Sequence, residues 1–200
     1  ASGSSGQPDT YNADLNYLIE YVGDNAPGAK LVWHMTWAYQ QNTTHSAFPT
    51  YGKNQMTMYN AIVSAVQSRI VTSGNFDLIV PNGTAVQNSR TSLLGDTTTI
   101  DGYHMSRPYG RYLTSLMFVK AITGLDIANI SYMPSGVSAE EKQIAIESVN
   151  HAYKTPFAVT ESVYQKEDVV IPEGYVEQNL GLTALGYWNS SDKNGDHNGI

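Results

Sequence analysis

Asp101 and His104 are the residues in this sequence whose types and spacing best suit catalysis. They are the ends of an Asp-Gly-Tyr-His tetrapeptide, and in a turn this spacing lets the carboxylate accept a hydrogen bond from Nδ1 of the imidazole. Such a contact fixes the histidine tautomer and stabilises the imidazolium that forms when Nε2 takes a proton. The chemistry it suits is activation of a hydroxyl nucleophile for acyl transfer. Because the tetrapeptide alone also arises by chance, the elements around it matter.

The tetrapeptide lies in a loop between a predicted strand and a predicted helix. The strand covers residues 76–80, and the helix begins at Pro108, a residue that suits the first helical position. A second buried strand is predicted over residues 30–37, which are mostly apolar and bulky. In open α/β sheets the functional crevice lies beyond the carboxyl ends of the strands. Residues 35–40 and 81–84 both lie at such ends.

Apolar residues at spacings of three and four predict the helices. Ser138 and Glu141 add a capping-box pattern at the start of the last one. The predicted helices span residues 9–22, 55–71, 108–124 and 139–153, with one or two helical turns at 84–90.

This alternation of helices and strands is typical of an α/β sheet with helical crossovers. Two strands are too few for a stable doubly wound sheet, which usually has about four to six. Either further strands escape the pattern, or they are supplied by sequence before Ala1, and we favour the second explanation. We expect residues 1–160 to form the α/β domain and residues 161–200 to be a C-terminal extension.

Three segments resemble one family of hydrolases. Residues 101–112 read Asp-Gly-Tyr-His-Met-Ser-Arg-Pro-Tyr-Gly-Arg-Tyr, and they resemble the C-terminal signature of SGNH/GDSL-type hydrolases. Residues 31–39 and 80–88 match the same pattern. The similarity is greatest to a bacterial branch described as DUF4886, which is common in gut Bacteroidetes, and it covers roughly residues 2–160.

The resemblance implies a three-layer α/β/α, flavodoxin-like fold and hydrolysis of an ester, often an acyl group on a sugar. Family members use a Ser-His-Asp triad, and Asp101 and His104 match its Asp and His. The family's nucleophilic Ser lies in a block near the N-terminus that this chain lacks, so the Ser would come from upstream sequence or from a companion N-terminal fragment. The alternative is a non-catalytic module, either a degenerate hydrolase or a carbohydrate-binding domain.

Three residues are candidates for contact with substrate, namely Trp37, Gln40 and Tyr103. Trp37 and Gln40 lie near the end of a predicted strand, and aromatic faces and amides suit pyranose rings. Trp37 also has a plainer interpretation, because it shares a strand face with Trp33 and at least one of the two is then part of the core. His34, within the same strand, is expected to be a packed, hydrogen-bonded histidine.

The amino-acid composition argues against several classes of function. The 200 residues include 11 Lys and Arg against 18 Asp and Glu, so the net charge of −7 and the lack of a basic cluster argue against nucleic acid as a partner. The sequence contains no run of about 18 apolar residues, so it predicts no membrane-spanning helix. The absence of cysteine excludes disulfides and thiolate metal sites. We expect no cofactor and a small-molecule or carbohydrate ester as substrate.

The overall composition and the C-terminal sequence give two further expectations. The 14 tyrosines, with many Asn, Thr and Ser, are typical of carbohydrate-handling proteins outside the cytosol, so a periplasmic or secreted location is expected. Asp192, Asn194 and Asp196 alternate like the first ligands of a calcium loop. However, His197 stands where that loop needs Gly and no bidentate Glu follows, so we expect no metal site.

Overall fold

The computed structural model describes residues 2–166, which fall in one unit, Ala1–Lys166. Within this part of the chain five α-helices and two β-strands occur in a mixed α/β order. They are α1 (Ala13–Asn25), β1 (Val32–His34), α2 (Gln55–Val66), β2 (Leu78–Val80), α3 (Asn82–Arg90), α4 (Tyr109–Thr123) and α5 (Ala139–Lys154). Short 3-10 turns lie at Pro8–Thr10, Phe48–Tyr51 and Ile127–Asn129, and one wider turn, Gln67–Val71, extends α2. None of the described helices is both long and apolar enough to cross a membrane.

β1 and β2 form a parallel pair. Val32 lies opposite Leu78, and His34 lies opposite Val80. The ladder is extended beyond the strands, since the amide of Met35 donates to the carbonyl of Val80 at 3.0 Å. As predicted, a helix, α2, connects the two strands, because parallel strands need a crossover connection.

The two faces of β2 pack against different hydrophobic clusters. Leu78 and Val80 pack with the cluster formed by α3, α4 and α5, whereas Ile79 packs with the cluster around α2. Since successive side chains of a strand point to opposite faces, the sheet has helices on both sides. The α/β alternation predicted from the sequence is confirmed at this level.

β1 is shorter and more exposed than predicted. The expected strand over residues 30–37 is reduced to three residues, and its expected burial is wrong: Val32 is 42% exposed and His34 is also exposed. On the opposite face Trp33 packs against the rings of Tyr11 and Phe76. The apolar run predicts burial on both faces. On the face opposite Trp33, however, His34 contacts the rings of Trp37 and Phe118 but stays exposed, so the described residues cover that face only in part.

The helix boundaries follow local capping chemistry. Ser138 and Glu141 form the predicted capping box, in which the amide of Glu141 donates to Oγ of Ser138 and the amide of Ser138 donates to Oε2 of Glu141. Gly124 ends α4 at a φ of 69°, a left-handed conformation that suits glycine. The first helix begins later than predicted, at Ala13, because Asn12 caps it.

Candidate functional site

Asp101 and His104 lie at a tight turn, residues 101–104, which we call the dyad turn. Two backbone hydrogen bonds join the segments before and after the turn. The amide of Ile100 donates to the carbonyl of His104 at 2.9 Å, and the amide of Ser106 donates to the carbonyl of Thr98 at 3.0 Å. Gly102 has a φ of 91°, which a residue with a Cβ rarely adopts. Local hydrogen bonding and one glycine therefore form the turn that the sequence predicts.

The carboxylate of Asp101 binds both the imidazole and the backbone of the turn. Oδ2 lies 2.6 Å from Nδ1 of His104, so the predicted contact is present. Oδ1 accepts the amide of His104 at 2.8 Å and that of Tyr103 at 3.2 Å. The hydrogen bond from the His104 amide, followed by that from its ring, lowers the pKa of Asp101 to about 2. The carboxylate is therefore ionised at neutral pH and directs Nε2 of His104 away from itself.

The side chains of the dyad are largely exposed to solvent. The side chain of His104 is 62% exposed and that of Asp101 is 41% exposed. One face of the imidazole lies against the ring of Tyr103, with 4.2 Å between the ring centroids. Among the described residues no group hydrogen-bonds to Nε2, so its lone pair or proton is not engaged within this part of the chain.

Of the three predicted substrate residues, Tyr103 belongs to the dyad turn, and Trp37 and Gln40 lie beside it. The polar atoms of Trp37 and Gln40 bind the protein. Nε1 of Trp37 donates to the carbonyl of Tyr103 at 2.7 Å. Oε1 of Gln40 accepts the hydroxyl of Thr99 at 2.7 Å, and the amide of Gln40 donates to the carbonyl of Gly102 at 2.8 Å. These contacts join the turn to residues 37–41, the segment that follows β1. Tyr103 is half-buried against Tyr39 and His45.

Arg90 and Asp96 also belong to this region, although no sequence pattern indicates them. Arg90 ends α3, Asp96 lies in the loop before the dyad turn, and Nε of Arg90 is 2.7 Å from Oδ1 of Asp96. A basic residue in a last helical turn and an acid six positions later are common, so spacing carries no signal for the pair. The burial of the Arg90 guanidinium, which is visible only in the structure, is what sets this pair apart from ordinary surface ion pairs.

A cleft of about 350 Å³ lies next to this region. Trp37 belongs both to its wall and to the contacts of the dyad turn, whereas Asp101 and His104 do not line it. His34, exposed in β1, is also part of the wall and contacts the rings of Trp37 and Phe118. The lining residues are aromatic, aliphatic and hydroxyl-bearing: Ser2, Ser5, Tyr11, Trp33, His34, Thr36, Trp37, Ile62 and Val66.

No group of three or more potential metal ligands lies together within residues 2–166. The calcium loop considered at Asp192, Asn194 and Asp196 lies outside the described residues, as does most of the extension expected over residues 161–200.

Fold and site together define a mixed α/β domain that carries an exposed aspartate–histidine pair beside a parallel sheet. The chain belongs to the DUF4886 family, described as a domain of unknown function, whose pattern matches residues 1–154. A crystal structure of a DUF4886 family protein from Bacteroides uniformis ATCC 8492 is similar, with 37% sequence identity and a TM-score of 0.78. The match covers 83% of this chain and 64% of that protein, so this chain spans just under two-thirds of its length. A comparison with curated proteins found no match.

Proposed function

We propose that this chain is part of a serine esterase of the SGNH kind, and that Asp101 and His104 are two members of its Ser-His-Asp triad. The observation that carries the proposal is the 2.6 Å contact between Nδ1 of His104 and Oδ2 of Asp101, on a histidine side chain that is 62% exposed. An ionised carboxylate in this position favours the tautomer with the proton on Nδ1, which leaves Nε2 as the base.

His104 moves the proton in each half of the proposed reaction. Its Nε2 takes the proton from the serine hydroxyl while the serine oxygen attacks the ester carbonyl carbon. It then gives that proton to the oxygen of the departing alcohol as the ester bond breaks, which leaves an acyl-serine. Water, deprotonated by the same nitrogen, hydrolyses the acyl-serine, and the serine recovers its proton from His104. Asp101 holds the ring and stabilises its cationic form throughout.

We place the serine in polypeptide upstream of Ala1 or in a companion fragment. Within residues 2–166 no serine hydroxyl reaches Nε2 of His104, and the nearby Ser106 instead accepts the amide of Gly110 at 3.1 Å. The similar Bacteroides uniformis protein is also longer, since the match covers 64% of it. The same additional polypeptide would add strands beside the open β1 and complete a three-layer, flavodoxin-like sheet.

An O-acylated carbohydrate is the proposed substrate. The cleft of about 350 Å³ offers the indole rings of Trp33 and Trp37 and the hydroxyls of Ser2 and Ser5, a mixture that suits a sugar ring. The composition is rich in neutral hydrogen-bonding side chains, including 14 tyrosines, which supports a carbohydrate substrate outside the cytoplasm, in the periplasm or after secretion.

The test is hydrolysis of p-nitrophenyl acetate and of an acetylated sugar by the full-length protein. We expect His104→Ala to lower kcat by about three orders of magnitude or more, the scale found when a triad member is removed. His151→Gln is the matched control, because His151 lies in α5 outside the dyad turn, and it should leave kcat unchanged. Equal turnover by wild type and His104→Ala would remove His104 from the mechanism.

A non-catalytic carbohydrate-binding module is the second candidate. One observation favours it: the aromatic cleft is lined by neither member of the dyad, so the cleft can take a sugar without presenting it to His104. Saturable binding of an acetylated sugar by the full-length protein, without any release of acetate, would support this candidate over the esterase.

A further inference from the structure

A buried ion pair lies between α3 and the loop that leads to the dyad turn. Nε of Arg90 is 2.7 Å from Oδ1 of Asp96, and the exposed fractions of the two side chains are 3% and 28%. Arg90 also donates through Nη1 to the carbonyl of Ala38 at 3.1 Å and to Oε1 of Gln87 at 3.2 Å. The guanidinium therefore contacts both the segment after β1 and the loop after α3.

The charge on Arg90 is retained in spite of its burial. Desolvation lowers the pKa of Arg90 to about 10, and the neighbouring carboxylate of Asp96 opposes that shift. The guanidinium is thus still a cation at neutral pH. A buried cation that loses its partner is strongly destabilising, so Asp96 is under a physical constraint to remain where it is.

Asp96 uses its second carboxylate oxygen to join two further segments. Oδ2 accepts the amide of Gln41 at 2.7 Å and Nε2 of Gln55, at the start of α2, at 2.9 Å. Nε2 of Gln55 also donates to the carbonyl of Tyr39 at 2.9 Å. One carboxylate therefore ties the loop before the dyad turn to α2, α3 and residues 37–41.

The dyad turn, which begins five residues after Asp96, also binds residues 37–41. The amide of Gln40 donates to the carbonyl of Gly102, and Nε1 of Trp37 donates to the carbonyl of Tyr103. Thr99 adds a hydroxyl bond to Oε1 of Gln40. Displacing residues 37–41 or the loop at Asp96 would therefore move the backbone that carries Asp101 and His104.

We propose that Arg90 and Asp96 are positioning residues for the Asp101–His104 dyad. Their ion pair fixes the position of residues 37–41 relative to the loop at Asp96. That relative position sets where the dyad turn lies. The catalytic consequence rests on the proposed esterase function, whereas the geometric consequence does not.

The decisive measurement is NMR on the full-length protein carrying Asp96→Asn, which keeps the size of the side chain and removes its charge. The resonance of the Nδ1 proton of His104 and the exchange rates of the Tyr103 and His104 amides report the dyad turn directly. We expect these two amides to exchange about tenfold faster or more, as follows when a buried polar group loses its partner. The Nδ1 proton signal should weaken or broaden in parallel.

Asp9→Asn is the matched control, because Asp9 forms an exposed ion pair far from the dyad in sequence, with Arg69 at 3.2 Å. Surface ion pairs contribute little to stability, so this variant should leave the dyad resonances unchanged. Amides of α5 should keep their protection in both variants, which separates displacement of the turn from general unfolding.

Thr99→Val serves if Asp96→Asn does not fold, since it removes only the hydroxyl bond to Gln40. It should speed exchange at Tyr103 and His104 by about fivefold, the value of one hydrogen bond. Unchanged dyad resonances and exchange rates in every folded variant of Asp96 and Thr99 would overturn the inference.

Activity of the same variants separates this inference from the proposed function. If the wild-type protein hydrolyses esters, Asp96→Asn should lower kcat by about tenfold or more with KM unchanged, because positioning acts on the transition state. If the wild-type protein is inactive while the resonances respond as expected, the esterase proposal fails and the positioning role stands. An active Asp96→Asn protein with wild-type kcat would contradict the positioning role.

Discussion

The indole nitrogen of Trp37 donates a 2.7 Å hydrogen bond to the carbonyl of Tyr103, the residue directly before His104. Trp37 lies after the first strand and Tyr103 lies in the dyad turn, so the bond joins segments 66 residues apart. The same tryptophan forms part of the wall of the aromatic cleft. Trp37 thus contacts both the dyad turn and the cleft, and under the proposed function a role in holding the dyad and a role in binding substrate predict different kinetics.

Trp37→Phe separates those roles, because it keeps an aromatic ring and removes the Nε1 donor. We expect the Tyr103 and His104 amides to exchange about fivefold faster, since one hydrogen bond contributes about 1 kcal/mol. If the full-length protein has the proposed esterase activity, kcat should fall while KM for an acetylated sugar changes little. A rise in KM with normal amide exchange would instead assign Trp37 to the substrate.

Acid should release the dyad turn only at very low pH. The hydrogen bonds from His104 and Tyr103 lower the pKa of Asp101 from its usual 3.8 to about 2. A carboxylate whose pKa is lowered by folding stabilises the folded turn fully above its unfolded pKa, and that stabilisation is lost as the pH falls through the folded pKa. The turn should therefore persist down to about pH 4 and weaken towards about pH 2.

The carboxyl ¹³C shift of Asp101, followed from pH 6 to pH 1.5, tests this directly. A titration midpoint near the ordinary pKa of an aspartate would show that the contacts of Asp101 with the turn do not form in solution. In Asp101→Asn the acid-dependent change in the His104 amide shift should disappear.

Gly102→Ala should distort the dyad turn. Its φ of 91° is unfavourable for alanine, and the added Cβ would lie 2.4 Å from Oγ1 of Thr43. Backbone strain and the clash together should lower the free energy of unfolding by about 2–4 kcal/mol. Chemical denaturation measures this loss, and the Nδ1 proton signal of His104 should be lost as well.

Gly95→Ala provides the matched control in the same loop. Gly95 also has a positive φ, 58°, but an added Cβ would meet no atom within 4 Å. Only the conformational strain of about 1–2 kcal/mol is expected, with the His104 signal retained. Equal effects of the two substitutions would show that the contact with Thr43 is unimportant.

Gly83 allows α3 to approach the end of β1. The amide of Gly83 donates to the carbonyl of Met35 at 2.9 Å, and a Cβ at this position would lie 2.1 Å from the carbonyl oxygen of Thr36. Gly83→Ala should therefore lower the free energy of unfolding by about 1–3 kcal/mol. Gly23→Ala in α1, where no atom lies within 4 Å, should raise it by about 0.5–1 kcal/mol. Thermal unfolding of both variants checks the contrast, and a neutral Gly83→Ala would be inconsistent with this close approach.

The sequence alone was sufficient wherever the interaction is local. The contact of Asp101 with His104 spans three residues, as does the capping box of Ser138 and Glu141, so spacing and residue type predict both correctly. The helices α2, α4 and α5 also follow their predicted ranges closely, because the period of apolar residues is a local property.

Tertiary structure alone decided the surroundings of the dyad. The pairing of Arg90 with Asp96, and the bonds from Trp37 and Gln40 to the dyad turn, join residues that come together only when β1, α3 and the loop before the turn pack. The exposure of His34 in β1 belongs here too, since an apolar run indicates a strand but not which of its faces is covered. Hydrogen bonds within a turn depend on a few neighbouring dihedral angles, whereas contacts between distant segments depend on the whole path of the chain. The sequence therefore determined the dyad itself, and the fold determined what holds it in place.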